Sequence, residues 1–406
     1  MNIALITIGN ELLSGFTVNT NAAWIGNHVL QVGGNIVWHQ TIGDNKDEIH
    51  ASLNQVSSDI RAVIITGGLG PTHDDLTAIA LYEYTGDLPV FDEDYWQFLQ
   101  KRLDKRNLNL PEINRNQALK PKKGHCIPNP LGSARGLHFK MNDKEIFVLP
   151  GVPREMKAMM NSTVLPWIEE QSTGGMTITT IRTTGIMESG LAEKLGEIVN
   201  ALSDNIKIAF LPQFTGVDIR VSGMDKTAVK QKVDEICIQV KKYIYGQNTD
   251  RLEDIISQML IAKDLSISTA ESCTGGLVGH RLTNVPGSSD YFLGGIISYS
   301  NYVKENNLGV AKSTLEQYGA VSAETAIEMA ENVRLKLGSD LGLSVTGIAG
   351  PGGGTSEKPV GLTFIALTDG NNTRVKEFRF LSDRQLNKNA SSQTALNMVR
   401  LYLLNE

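Results

Sequence analysis

The sequence predicts an α/β protein organised as three successive units, two larger α/β units flanking a small α+β module. Three observations carry this prediction. Short, nearly continuous apolar runs alternate with segments of helical period over residues 1–171 and again over 247–406, as expected for strands buried on both faces by crossover helices. Residues 172–246 break that alternation and read strand, helix, strand, strand, helix. The chain has 406 residues, 41% of them hydrophobic and 20% charged, enough for two to three cores at roughly 100–200 residues each.

Each element follows from its periodicity. In the first unit, residues 3–8 form an apolar strand, 21–32 a helix, 36–42 a strand, 47–56 a helix and 62–66 a buried strand. Residues 140–149 read as the second arm of a hairpin turning at Asn142-Asp143, and 154–170 as a closing helix. The middle unit is expected to hold a strand (177–183), a helix (189–201), two strands (206–211 and 217–221) and a long amphipathic helix (227–245). The third opens with a helix (252–263), a strand (265–269) and a short helix (277–282). Ile327, Ala330, Val333 and Leu337 mark one helix face, 342–346 and 362–367 are buried strands, and Leu396, Val399 and Leu403 stripe a last helix.

Composition narrows the function. Lys+Arg is 38 against Asp+Glu 44, a net charge of −6, which argues against nucleic acid as a partner because such proteins carry a basic face. Cys126, Cys237 and Cys273 include no C-x-x-C pair. A disulfide framework and a thiolate zinc site are therefore not expected, and the chain reads as cytoplasmic. No apolar run approaches the ~18 residues of a membrane span, and the opening MNIALITIGNELL reads as a strand rather than a signal peptide.

In the third unit, STAESCTGG (268–276) runs from a strand into a helix. Such a turn sets Ser272 beside unpaired amides, for example those of Gly275 and Gly276, which suits a nucleophile whose transition state develops an oxyanion. Lys304, in ISYSNYVK (297–304), can serve as base if burial lowers its pKa, and Tyr299 can hold or relay the proton. Cys273 is a rival nucleophile, His280 gives thin support to a Ser–His–Asp arrangement, and Ser272 can also be read as a plain helix cap. The loop SVTGIAGPGGGTSEKPVG (344–361) carries six glycines, an anion-binding device or a flexible surface loop. Asp383-Arg384 offers a phosphate contact or an exposed pair.

In the first unit, TGGLGPTHDDLT (66–77) follows a strand. Its glycines can approach a phosphate, and Asp74 and Asp75 offer hard oxygen ligands to Mg²⁺ or a similar ion; a structural turn with a capping Asp is the plainer alternative. Glu11, in IGNELLSG (8–15), sits past the first strand on the carboxyl edge where open α/β sheets bind ligands. NPLGSARG (129–136) and LPGVPREM (149–156) supply further turns around the same cleft, and Lys120, Lys122 and Lys123 a small basic cluster.

Together TAESCTGG, YSN-x-x-K, GAVSAETA (319–326) and TGIAGPGGG…KPVG resemble the C-terminal domain of the CinA (competence/damage-inducible protein A) family. The resemblance implies a nicotinamide mononucleotide (NMN) amidase that needs no cofactor. Ser272 would be the nucleophile, Lys304 the base and Tyr299 a supporting hydroxyl; Gly275, Gly276, Thr346, Gly347, Gly350 and Gly352 would line the site, and Arg384 would hold the phosphate. The first-unit motifs resemble the three-layer MogA/MoaB-like, molybdopterin-binding domain that opens full-length members. They imply a divalent-metal-dependent ADP-ribose pyrophosphatase, with Asp75, Asp74 and Glu11 as metal ligands and Gly67, Gly68, Gly70 and Thr72 around the substrate. A pterin-binding module without hydrolysis and an adaptor in competence or DNA damage are the alternatives. The family usually reads GTAPG where this chain has Gly132-Ser133-Ala134-Arg135-Gly136; Arg135 is expected to loosen that turn and add a charge. The middle unit resembles the KH-like linker domain, and the family implies a homodimer.

Overall fold

The computed structural model describes residues 1–104, 109–172, 174–203, 205–213, 215–380 and 383–405. They fall into two units, Met1–Thr177 and Ile178–Glu406; the middle and C-terminal parts of the sequence together make the second.

The first unit is built on a six-stranded sheet in the order Asn35–Ile42, Asn2–Ile8, Ala62–Thr66, Lys144–Leu149, Gly136–Met141, His125–Ile127. Its first four strands run parallel and the last two pairings are antiparallel. Period-two alternation sends Ala4 and Ile6 into one core and Ile3 and Leu5 into the other, which is why the strand shows no polar face in sequence. Helices Lys46–Gln55 and Thr77–Thr85 supply one layer; Thr20–Gln31, Pro153–Met159 and Leu165–Gln171 supply the other. The hairpin turns at Asn142, whose φ is 54°, but Lys140 and Met141 belong to its first arm and only Lys144–Leu149 to the second.

In the second unit, a four-stranded sheet runs Ile206–Gln213, Gly216–Gly223, Thr177–Thr183, Ile244–Gln247. The expected helix over 227–245 stops at Gln239. Residues Ile244–Gln247 instead pair antiparallel with Thr177–Thr183 and close the sheet edge, a tertiary pairing that overrides the helical period. The C-terminal part carries a five-stranded sheet, Phe292–Ile297, Ile267–Glu271, Leu341–Gly347, Leu362–Thr368, Thr373–Arg379. Its first three strands are parallel, and helices Ala323–Leu337 and Arg384–Leu403 pack against it. The strand expected at 265–269 begins two residues later because Asp264, at φ 54°, turns the chain out of helix Leu252–Ala262 and Leu265 N–H still caps that helix at Leu260 O. Buried Arg400 donates to the carbonyls of Ile244 and Lys242 at 2.9 and 2.7 Å, joining the two parts of this unit. No helix among the described residues is long and apolar enough to cross a membrane.

Candidate functional site

Ser272 is the first residue after the Ile267–Glu271 strand, and its N–H still pairs with Val345 O at 2.9 Å. It therefore stands at the carboxyl edge of the sheet. Lys304 arrives from the neighbouring edge strand through a short helix, Asn301–Val303, whose start is capped by Ser300 Oγ. Its side chain is buried, 1% exposed, and Nζ donates to Ser272 Oγ at 3.0 Å and to Ser298 O at 2.7 Å. Burial pulls the Lys304 pKa down to about 8. The rival thiol of Cys273 is pushed up to about 12 by burial, so it stays protonated where a thiolate would be needed.

The turn amides differ from the expectation. Gly275 N–H goes to Ser272 O at 3.1 Å, and Gly276 N–H to Glu271 Oε2 at 2.9 Å. The same buried carboxylate accepts from Val278 and Gly279 N–H at 3.1 and 2.8 Å. The positive end of the helix is thus neutralised by Glu271, and neither Gly275 nor Gly276 offers a free donor. Glu271 and Ser298 were missed in sequence. An acid directly before a strand-to-helix turn was a readable signal for the first; a backbone carbonyl leaves none for the second.

Thr346, next to last in the Leu341–Gly347 strand, donates its hydroxyl to Ala320 O at 2.6 Å, so that oxygen braces the GAVSAETA segment. Gly347 follows it, and Gly350 and Gly352 stand in the loop beyond. Arg384 donates through Nη1 to Gly350 O at 2.7 Å and through Nη2 to the Tyr299 hydroxyl at 2.9 Å. Tyr299 is 58% exposed, and among the described residues no hydrogen bond joins it to Ser272 or Lys304. Asp383 does not pair with Arg384; it caps the last helix by accepting from Leu386 N–H at 2.8 Å. Two clusters result: a buried Ser272–Lys304 pair, and an exposed Arg384–Tyr299 pair anchored on the carbonyl of buried Gly350.

In the first unit, Gly67 sits at φ 121°, and a Cβ there would lie 2.1 Å from Ile8 O, so only glycine lets the loop leave the sheet so close to the first strand. Asp75 does not face outward. Its carboxylate accepts from Gly70 N–H at 2.7 Å and from Thr72 N–H and Oγ1–H at 2.9 and 2.6 Å, stapling the loop that contains Gly68. Asp74 is exposed beside His73 at 3.1 Å, and the Glu11 carboxylate folds back on Gly9. Asp44, not singled out in sequence, accepts from Asn10 N–H; burial raises its pKa, and the charges of Glu11, Asp75 and Asp74 add to the rise. These acids share one edge of the sheet, yet among the described residues no three His, Cys, Asp or Glu side chains stand close enough to hold a metal ion. A resident metal does not fit this donor set.

The Arg135 turn is pinned rather than loosened. Arg135 Nη1 pairs with Asp92 at 2.7 Å, its guanidinium lies 3.8 Å from the Tyr95 ring centroid, and the Asn129 side chain ties Ala134 O and the amides of Leu131 and Gly132.

Fold and sites define a modular protein in which a molybdopterin-binding-like α/β domain precedes a KH-like module and an α/β domain with a buried Ser–Lys pair. Residues 4–170 match the family profile "Probable molybdopterin binding domain", 179–246 "Damage-inducible protein CinA KH domain" and 249–403 "CinA C-terminal domain". The chain is similar to a CinA-like protein of Salinibacter ruber, 40% identical across 98% of this chain and 99% of that one. A CinA-like protein of Citrifermentans bemidjiense is 39% identical across 100% and 98%. The solved competence/damage inducible protein CihA of Agrobacterium tumefaciens is 39% identical, covering 39% of this chain and 98% of that one, with a TM-score of 0.36. The chain belongs to the CinA family.

Proposed function

We propose that the C-terminal part hydrolyses the carboxamide of NMN to nicotinic acid mononucleotide and ammonia, with Ser272 as nucleophile and Lys304 as base. The observation that carries this reading is the 3.0 Å contact between the two side chains, made by a lysine that burial brings to about 8. As the neutral amine, Lys304 takes the Ser272 hydroxyl proton while Oγ attacks the amide carbon. The C–N bond then breaks, the proton passes to the leaving nitrogen, and ammonia departs. Water cleaves the resulting ester, giving one proton to Lys304 and through it back to Ser272. Arg384 is the phosphate contact, and Tyr299, its hydrogen-bond partner, positions it. Ammonia release from NMN by wild type and Ser272→Ala tests the reading; full activity in the variant would move the nucleophile elsewhere.

For the first unit we propose cleavage of ADP-ribose to AMP and ribose 5-phosphate, with a divalent ion carried in on the diphosphate rather than held beforehand. Mg²⁺ commonly binds through one or two carboxylates plus substrate phosphates, and Glu11, Asp44 and Asp74 are the carboxylates at hand. Formation of AMP from ADP-ribose and Mg²⁺ is the test. A second reading, a pterin-binding module without hydrolysis, is favoured by the commitment of Asp75 to its own loop; retention of ADP-ribose uncleaved would select it. Assembly as a cytoplasmic homodimer rests on the family resemblance, and light scattering of the full chain tests it.

A further inference from the structure

A cavity of about 1080 Å³ opens in the second unit between the KH-like module and the C-terminal part, and it shares no lining residue with the Ser272–Lys304 pair or with Arg384. One wall is the start of helix Glu188–Asn200. Met187 holds the N-cap position, where an oxygen-bearing side chain is the usual choice, and no side chain caps this helix. The Glu188, Ser189 and Gly190 amides therefore have no acceptor among the described residues. A second wall comes from the C-terminal part: Lys376 and Phe378 on the edge strand Thr373–Arg379, and Asn397 on helix Arg384–Leu403.

Asn397 is 9% exposed, and its Oδ1 accepts from Arg400 Nε at 2.9 Å. A guanidinium can only donate, so this contact fixes which way the carboxamide points and leaves Nδ2 unused. A Cβ on Gly185 would lie 3.1 Å from Nδ2, which sets the NH₂ group against the turn that leads into the uncapped helix. Nδ2 has no acceptor among the described residues and is not sealed in, because Asn397 lines the cavity. Lys194, Lys242 and Lys376 stand on the same walls, opposed by Glu188 and Glu193, and none of the five enters an ion pair among the described residues. Donors without acceptors, at the positive end of a helix and under an excess of amines, call for an anion.

We propose that this cavity binds a phosphorylated small molecule, its phosphate accepting from the helix start and from Asn397 Nδ2, its remainder lying on Phe378 and Phe380. These two rings stack at 5.9 Å with 8° between their planes, and both are partly exposed. With Ile186 and Leu401 they give the cavity an apolar side, and a bare phosphate would leave most of the volume to water. The donors come from the KH-like module and from the last helix of the C-terminal part, so the bound anion bridges the two. It is a regulatory contact away from both proposed reactions, and it stands independently of their substrates.

Hydrogen exchange of the full chain, read by mass spectrometry at short labelling times, tests this with phenyl phosphate and inorganic phosphate as probes. Phenyl phosphate is expected to slow exchange over residues 186–191, with a midpoint at least about 3-fold below that of inorganic phosphate. Asn397→Asp keeps an oxygen for Arg400 but replaces the donor with a charged acceptor. It should raise the midpoint about 10-fold or more, the order of a hydrogen bond to a charged group, and melt no lower than wild type. Lys376→Glu, an exposed change on an edge strand, should raise it about 3-fold. Absence of protection over 186–191, or a midpoint that neither variant moves, overturns the proposal. Equal midpoints for the two probes overturn the assignment to an organic phosphate. Should Asn397→Asp melt lower, Lys376→Glu alone decides. Equal weakening of any protection around Arg384 assigns the variants' effect to the fold and also overturns the proposal.

Discussion

Acidifying the assay from pH 9 to pH 6 is expected to suppress NMN hydrolysis steeply, because the base must be an uncharged amine. With a Lys304 pKa of about 8, the neutral fraction is about 0.9 at pH 9, about a tenth at pH 7 and about 0.01 at pH 6, a fall of about 90-fold over the interval. The sign follows from the direction of the shift: burial makes the charged form the unfavourable one, so raising the pH through 8 creates the active species. Initial rates of ammonia release at limiting NMN give kcat/KM and so report the free enzyme. Lys304→Arg, which keeps the charge but cannot release its proton, should lose about 10²–10⁴-fold. A kcat/KM flat to within about twofold from pH 6 to 9, or near-wild-type activity in Lys304→Arg, would refute the Ser–Lys reasoning.

Lys304→Met should abolish the amidase yet stabilise the fold at pH 7 by up to about 3 kcal/mol, the linkage value of a pKa lowered from 10.5 to about 8. Below pH 8 the amine is protonated in both folded and unfolded chains, so the full burial penalty is present; it is relieved between pH 8 and 10.5, and denaturant titrations across that range should see the variant's advantage disappear. Glu271→Gln removes the carboxylate from three turn amides; unfolding should be easier by about 1–3 kcal/mol, with NMN kcat falling more than KM changes. Asp75→Asn should cost about 1–2 kcal/mol of stability through its three loop hydrogen bonds. The Mg²⁺ concentration giving half-maximal ADP-ribose cleavage should not move, and a shifted midpoint would restore Asp75 as a ligand.

The fully buried strands of both larger sheets were legible because burial on two faces leaves an unbroken apolar run, as at Ala62–Thr66, where all five residues are buried. The edge strand Phe292–Ile297 was not assigned: its burial alternates and two of its six residues are glycine, so neither period nor propensity marks it. The short strands Pro89–Phe91 and His125–Ile127 are too brief to show a period at all.

Residue order alone determined the alternation of strand and helix and the placing of a serine-bearing strand-to-helix turn and a glycine-rich loop after two buried strands. Those properties are local, set by side-chain spacing along a few turns of chain. Three-dimensional packing decided which donors remained free. It gave the Gly276 amide to Glu271 and closed Asp75 onto its own loop. Hydrogen-bond partners distant in the chain meet only when the sheet is assembled, and a group's pKa depends on the water that assembly removes from it.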